Sequence, residues 1–263
     1  MSRVLLCYDP WSLARNVHFA RALRDGLERH FGSCSLRMVG PGDRPALAAD
    51  TAIAIARSRD RELRRWLADR LPVVVNPPLL ALIGNDKLAT ARWLAEHELP
   101  GPPTTPSWLA HRAFSATDLV VKPRAGHGGH GVRIVPAAAP PRCDLDAWIT
   151  QAFVQGGERV LRAYVVGSTI AAWTERRAAD GVAANLSRGA SGHLATPTRE
   201  SHRLATRVMG LIGPGYYGID LFEHDDDVVV NEIEDVVGAR TLARAGIDVV
   251  DLVVQAVAHS AVR

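Results

Sequence analysis

Lys122 ends an apolar run, Asp118-Leu119-Val120-Val121, and is followed almost at once by Gly126-His127-Gly128-Gly129-His130-Gly131-Val132. Four glycines within six residues let a backbone approach phosphate oxygens and present N–H groups without interference from Cβ atoms, while the lysine adds a point charge. A lone buried ammonium costs several kcal/mol, so Lys122 either reaches water or meets an anion. A second signal lies further on. Asp220 falls in Tyr217-Gly218-Ile219-Asp220-Leu221-Phe222 and Glu232 and Glu234 fall in Val228 to Glu234, with the polar tract His224 to Asp227 as a hairpin turn between them. Strand side chains alternate, so Glu232 and Glu234 share one face, Ile233 enters the core, and pairing across the hairpin can bring Asp220 beside the glutamates. Two carboxylates about 4 Å apart repel by about 4 kcal/mol at an effective dielectric of about 20, and a cation relieves this. Hard oxygen ligands suit Mg²⁺ or Mn²⁺, and magnesium commonly takes one or two protein carboxylates together with substrate phosphates. Taken singly, each signal has a plainer alternative: a glycine hairpin with no ligand, and an acidic hairpin balanced by arginines.

Both sites need strands and turns to hold them. Asp118 to Pro123, the glycine turn, and Arg133 to Val135 read as a β-hairpin flap. A dinucleotide fold would instead need its glycines after the first strand and opening a helix, and Asp9-Pro10-Trp11 stands there. The opening residues alternate between strand and helix: Val4 to Tyr8, a helical spacing over Ala14 to Phe31, Leu36 to Val39, Ala52 to Ala56, a charged helix over Asp60 to Arg70, and Val73 to Val75. That alternation predicts a small parallel α/β lobe over residues 1–76. From Pro77 the texture changes, with a long amphipathic stretch over Leu79 to Glu98 that stops at Pro100-Gly101-Pro102-Pro103. A strand-rich half follows, and a helix over about Val249 to Ala261 ends it.

With 263 residues, 47% of them apolar, the chain can bury one large core or two compact lobes. The formal charge of +3 arises from 31 basic residues spread among 28 acids, which argues against a nucleic-acid tail. Cys7, Cys34 and Cys143 lack metal or redox spacing, which predicts reduced thiols rather than a disulfide framework. The apolar run at Val4 to Cys7 is too short for a signal peptide, and no run approaches the ~20 residues of a membrane span. These features predict a cytoplasmic protein without membrane or nucleic-acid partners.

The ordered set of segments from about Asn76 to Asp251 resembles the ATP-grasp superfamily, especially its amino-acid ligases. Asn85-Asp86-Lys87 is similar to the family's first ATP-lysine motif, Val121-Lys122-Pro123 to its second, and Gly126 to Val132 to its phosphate loop. Gln151-Ala152-Phe153-Val154 looks like the hinge whose backbone holds adenine. Arg162 to Gly167, Glu175-Arg176-Arg177 and Asn185-Leu186-Ser187-Arg188-Gly189 resemble later segments, and Ala245-Gly246-Ile247-Asp248 resembles one found in glutamate ligases. The resemblance implies an α/β (α+β) ATP-grasp domain over residues 77–263, with a central lid at about 104–152 and a C-terminal subdomain at about 153–263. It implies ATP on Lys87, Lys122, Gly126, His127, Gly128, Gly129, Gln151, Ala152, Phe153 and Val154, with Glu158 at the ribose. It also implies magnesium on Asp220, Glu232 and Glu234, and Arg162 and Arg188 on a carboxylate or transferred phosphoryl group.

The implied activity joins a small-molecule carboxylate to an amine through an acyl phosphate, on an amino acid or short peptide, and a homodimer is in keeping with the family. A peptide-modifying ligase or macrocyclase shares this chemistry, and a nucleotide-binding protein without turnover shares the lysines and the loop. Three positions depart from the pattern: Glu234 stands where the family has Asn, Val160 where it has an acid, and His127 where it has Ser or Thr. Trp11, after the first strand, stands where an acceptor substrate could sit.

Overall fold

A computed structural model of the chain describes residues 3–106, 114, 116–126, 129–139, 146–154, 159–177, 191–224 and 227–261. The chain opens with β1 (Arg3–Tyr8), α1 (Pro10–Phe31), β2 (Cys34–Met38), β3 (Thr51–Arg57), α2 (Arg61–Ala68) and β4 (Val73–Val75). These strands form a parallel sheet in the order β2-β1-β3-β4. Asp9 caps α1 by accepting from the Ser12 amide, and Gly32 ends the helix at φ 85°, a left-handed conformation that glycine adopts without strain. Alternation along β1 divides the core: Val4, Leu6 and Tyr8 join Leu23 and Leu27 of α1, whereas Leu5 and Cys7 join Leu63 and Leu67 of α2. Cys7 and Cys34 are free thiols, both buried.

The stretch from Leu79 to Glu98 is not one helix. It is divided into α3 (Pro78–Ile83) and α4 (Lys87–Glu96). Asp86 makes the break, because its side chain accepts from the amides of Leu88 and Ala89 and so starts a new helix. Asn85 donates back to the Ala81 carbonyl and across to Asp235, taking up polar groups that a continuous helix would have used otherwise.

A second sheet, β5 (Thr104–Thr105), β6 (Asp118–Pro123), β7 (Arg133–Pro136) and β8 (Trp148–Ala152), is antiparallel in the order β5-β8-β6-β7. The largest sheet follows, from β9 (Arg159–Gly167), β10 (Thr169–Arg177) and β11 (Ser191–Leu194) through α5 (Arg199–Ile212) to β12 (Gly215–His224) and β13 (Asp227–Glu234). Its order is β11-β10-β9-β12-β13. One face packs on Leu204, Ala205, Val208 and Ile212 of α5, and α6 (Arg240–Arg244) and α7 (Val249–Ala261) complete the chain. Val253, Val254 and Val257 of α7 share the core of β1 and α1, which joins the parallel sheet to the largest one. Among the described residues no helix is long and apolar enough to cross a membrane.

Candidate functional site

Two adjacent strands bring the predicted carboxylates together, and a third sets an arginine against them. Asp220 of β12 lies opposite Arg162 of β9 on one side and Glu232 of β13 on the other, and Glu234 lies opposite Gly218. This is the register that alternation predicts: Ile219 and Ile233 point the other way, fully buried in the core with α5. Pairing shifts between Asp220 and Leu221, so Asn231 is an extra residue on β13, a β-bulge beside the carboxylates.

Arg162, 6% exposed, dominates the arrangement. Its Nε and Nη2 reach the two oxygens of Asp220 at 2.5 and 2.6 Å, and its Nη1 forms an ion pair with Glu234. Burial works against this charge, yet Asp220 and Glu234 together hold the guanidinium pKa above its ordinary value. Gly218 makes room for the side chain: a Cβ there would stand 3.2 Å from Arg162 Cδ. Arg176 of β10, one strand beyond Arg162, reaches at 3.3 Å the same Asp220 oxygen as Arg162 Nε, and its own Nε is buried with no partner.

The two predicted lysines converge on Glu232. Lys87, the first residue of α4, pairs with Glu232 at 3.1 Å and donates to the Gly126 carbonyl. Lys122, at the end of β6, is 6% exposed and has Asn231 Oδ1 at 3.5 Å. Arg124 ties their two elements together, since its guanidinium grips Asp86 at 2.8 and 2.6 Å and its carbonyl accepts from the Lys87 amide at 3.1 Å. The β6 and β7 strands pair antiparallel, as the flap reading predicts, and Gly129 and Gly131 of the turn have φ of 74° and 76°, where a side chain would be strained.

Burial, moderated by Glu232 and reinforced by Lys87, lowers the Lys122 pKa from 10.5 to about 8. The sign of the consequence follows. Above about pH 8 the folded protein holds this ammonium less tightly than the unfolded chain does, so Lys122 contributes a rise in stability with pH from about 8 towards 10.5. An anion bound at Lys122 reverses the preference by favouring the charged form. Affinity for a polyanion such as ATP is therefore expected to fall as pH rises past about 8, and Lys122→Arg should flatten that fall. Titrations of nucleotide binding across this range check it, and a pH-independent affinity in the wild-type chain would contradict it.

Gln151 is buried and donates to Thr104 Oγ1 at 2.9 Å, while the amides of Ala152 and Phe153 donate to the carbonyls of Pro103 and Asp118. Val154 lies two positions past the end of β8. His127, Gly128, Glu158 and Arg188 lie outside the described residues.

The donor chemistry of Asp220, Glu232 and Glu234 fits a hard divalent cation, since all three offer carboxylate oxygens on one face of the sheet. In this arrangement, however, protein cations hold them, and among the described residues no group of three or more acidic, His or Cys side chains is poised around a metal ion. Glu232 and Glu234 remain 28% and 32% exposed at the side chain, whereas Asp220 is closed off by the arginines.

A residue not anticipated from sequence holds the site to the rest of the molecule. Asp235, fully buried, receives a two-point contact from Arg64 of α2 at 2.7 and 2.8 Å, together with amide donors from Asn76 and Asn85. It stands next to Glu234, while Asn85 lies two positions before Lys87. The acidic run Glu232-Ile233-Glu234-Asp235 was visible in the sequence, but nothing local pointed to Arg64 as a partner.

Among known proteins, an uncharacterized protein, the MG011 homolog of Mycoplasma pneumoniae, is 29% identical over 250 residues, covering 92% of this chain and 87% of that one. The tetrahydromethanopterin:alpha-L-glutamate ligase of Methanocaldococcus jannaschii is 27% identical over 189 residues, 65% of each chain, so the match spans a little under two thirds of that ligase. In structure, the RimK domain protein ATP-grasp from Sphaerobacter thermophilus superposes with a TM-score of 0.67 at 22% identity, over 97% of this chain and 98% of that one, a likeness of fold. The model of the ATP-grasp domain matches residues 84–235, from the turn before Lys87 to Asp235 and more than half of the chain. With the fold and these matches in agreement, the chain belongs to the ATP-grasp domain family.

Proposed function

We propose that the chain is an ADP-forming carboxylate–amine ligase that uses ATP and magnesium. The observation that carries this reading is Lys122, an ammonium 6% exposed, with Lys87 acting on the same Glu232 and a glycine turn at its shoulder. A polyphosphate answers both charges. In this reading residues 77–263 clasp the nucleotide, Gln151 to Val154 face the adenine, and residues 1–76 form a wall of the substrate site. Asp220, Glu232 and Glu234 would hold magnesium, which when bound neutralises charge on the phosphate oxygens.

A carboxylate oxygen of the first substrate attacks the γ-phosphorus of ATP, the bond to the β-phosphate oxygen breaks, and ADP leaves. The amine of the second substrate then attacks the acyl carbon, phosphate departs, and the amine gives up a proton as the C–N bond forms. The chain's own contribution is positioning and charge. Lys87 and Lys122 hold phosphate oxygens, and Arg162 lies beside the transferred group or the carboxylate, with Arg188 as a second candidate.

The carboxylates already held by Arg162 and Lys87 favour a second reading, a protein that binds nucleotide without turnover. Supplying pairs of amino acids with ATP distinguishes the two. Ligation gives ADP and phosphate only when both partners are present. Release of AMP and pyrophosphate would replace the acyl-phosphate route with adenylation, and a lack of any substrate-dependent release would leave binding alone. Lys122→Ala is expected to lose nucleotide affinity, whereas His130→Ala keeps it.

A further inference from the structure

The parallel sheet has its own opening. From β1 the chain passes through α1 to β2 on one side, and β3 pairs with the other side of β1, so the connections diverge between β1 and β3. In open parallel sheets this divergence, at the carboxyl ends of the strands, is where ligands bind. A pocket of about 830 Å³ lies there, a volume suited to a small organic molecule. Pro10, Trp11, Val39 and Pro41 give it an apolar wall, and Trp11 is 47% exposed.

Its charges are unequal in what they lack. Asp9 is occupied by the Ser12 amide and hydroxyl at 2.7 and 2.9 Å, Asp60 by the amides of Glu62 and Leu63 and by Arg44 at 3.6 Å, and Glu62 by Arg65. Arg59 differs. Its guanidinium donates to Ser12 Oγ at 2.9 Å and has no carboxylate within ion-pair reach among the described residues, although Asp9, which accepts from the Arg59 amide at 3.3 Å, acts on its charge from further off, and its Nε is buried with no partner. The guanidinium carbons of Arg59 and Arg15 each lie 4.4 Å from the Trp11 ring centroid, so the cations and the aromatic surface form one unit. The amino ends of α1 and α2 also converge here and favour negative charge. The pocket therefore offers an apolar face and an anion site side by side.

Ser58, which lines the pocket, accepts through its carbonyl from Arg64, whose guanidinium grips Asp235 beside Glu234, and this places the pocket next to the carboxylate cluster. We propose that this pocket takes the amine substrate, an apolar or aromatic amino acid whose own carboxylate rests on Arg59 and whose side chain lies against Trp11. The assignment to the amine rests on the ligase reading above. With its carboxylate serving as the anchor on Arg59, this ligand's contribution to the reaction is its amino group.

Calorimetric titration of the full chain with 3-phenylpropanoate and with 3-phenylpropanamide tests the ligand class. The acid is expected to bind at least roughly tenfold more tightly than the amide, in keeping with a charge-assisted contact. Arg59→Gln should erase that preference, and Trp11→Ala should weaken the acid by a similar factor, with ATP affinity unchanged in both variants as a check on folding. Phenylalanine of one configuration should displace the acid, and glutamate should not. Equal binding of acid and amide, a preference that survives Arg59→Gln, no binding of the acid at millimolar concentration, or displacement by glutamate as effective as by phenylalanine would each overturn the proposal. Absence of ATP binding with the acid still bound would instead overturn the ligase reading and leave the ligand class of the pocket standing.

Discussion

Asp235→Ala is expected to lower the free energy of unfolding by about 3–5 kcal/mol, the cost of leaving a buried charge without its partner. Arg64 and Asp235 are both fully buried, and the guanidinium left behind would keep only the carbonyls of Ala56 and Ser58, at 2.9 and 2.7 Å. Asn76 and Asn85 would lose an acceptor as well. Urea titration should show a lower midpoint with an unchanged slope, since the surface exposed on unfolding hardly changes. Replacing both charged residues together, as Arg64→Met with Asp235→Leu, removes the orphaned cation and should recover at least half of the loss. A fall below about 1 kcal/mol in the single variant would mean that water reaches Arg64, and the buried pair would then not be the strut described here.

Glu232→Gln and Glu234→Asn are expected to diverge sharply. If magnesium lies on Asp220, Glu232 and Glu234, removing the charge of Glu232 should cost at least what the loss of a metal ligand's supporting partner does, roughly 10- to 100-fold in metal affinity, with turnover falling alongside. It also leaves Lys87 without its carboxylate. Glu234→Asn introduces the family's usual residue, and Arg162 keeps its two-point contact with Asp220, so measurable turnover should survive. Magnesium titrations followed by phosphate release from both variants decide the matter. Loss of turnover in Glu234→Asn at normal magnesium affinity would make Glu234 the group that takes the amine's proton. Indifference of both variants would remove the metal cluster from the proposal.

Much of this site could be read from local pattern. Period-two alternation was enough to place Glu232 and Glu234 on one face and Ile233 in the core, and hairpin pairing was enough to bring Asp220 beside them, because a strand repeats every two residues whatever surrounds it. The hairpin carrying Lys122 was legible for the same reason. Helix ends were harder. The break at Asp86 depends on one side chain capping α4, and the continuous apolar spacing from Leu79 onward concealed it. Least legible were the partners of buried charges. Arg64 and Asp235 are 171 positions apart, and Arg162 is drawn to Asp220 and Glu234 by strand neighbours that only the folded sheet supplies. The helix α5 was also unforeseen, although Leu204, Ala205, Val208 and Ile212 follow a helical repeat.

Arg124 has a mechanical consequence. With its side chain on Asp86 and its carbonyl on the Lys87 amide, the flap strand and the start of α4 are yoked at two points. Because α4 also packs Trp93 and Leu94 into the core of the large sheet, these two points fasten the base of the flap to that sheet and hold the two ammoniums at a set separation. A polyphosphate of the kind proposed would then meet two positive charges already at their spacing, with none of its binding energy spent on bringing them together.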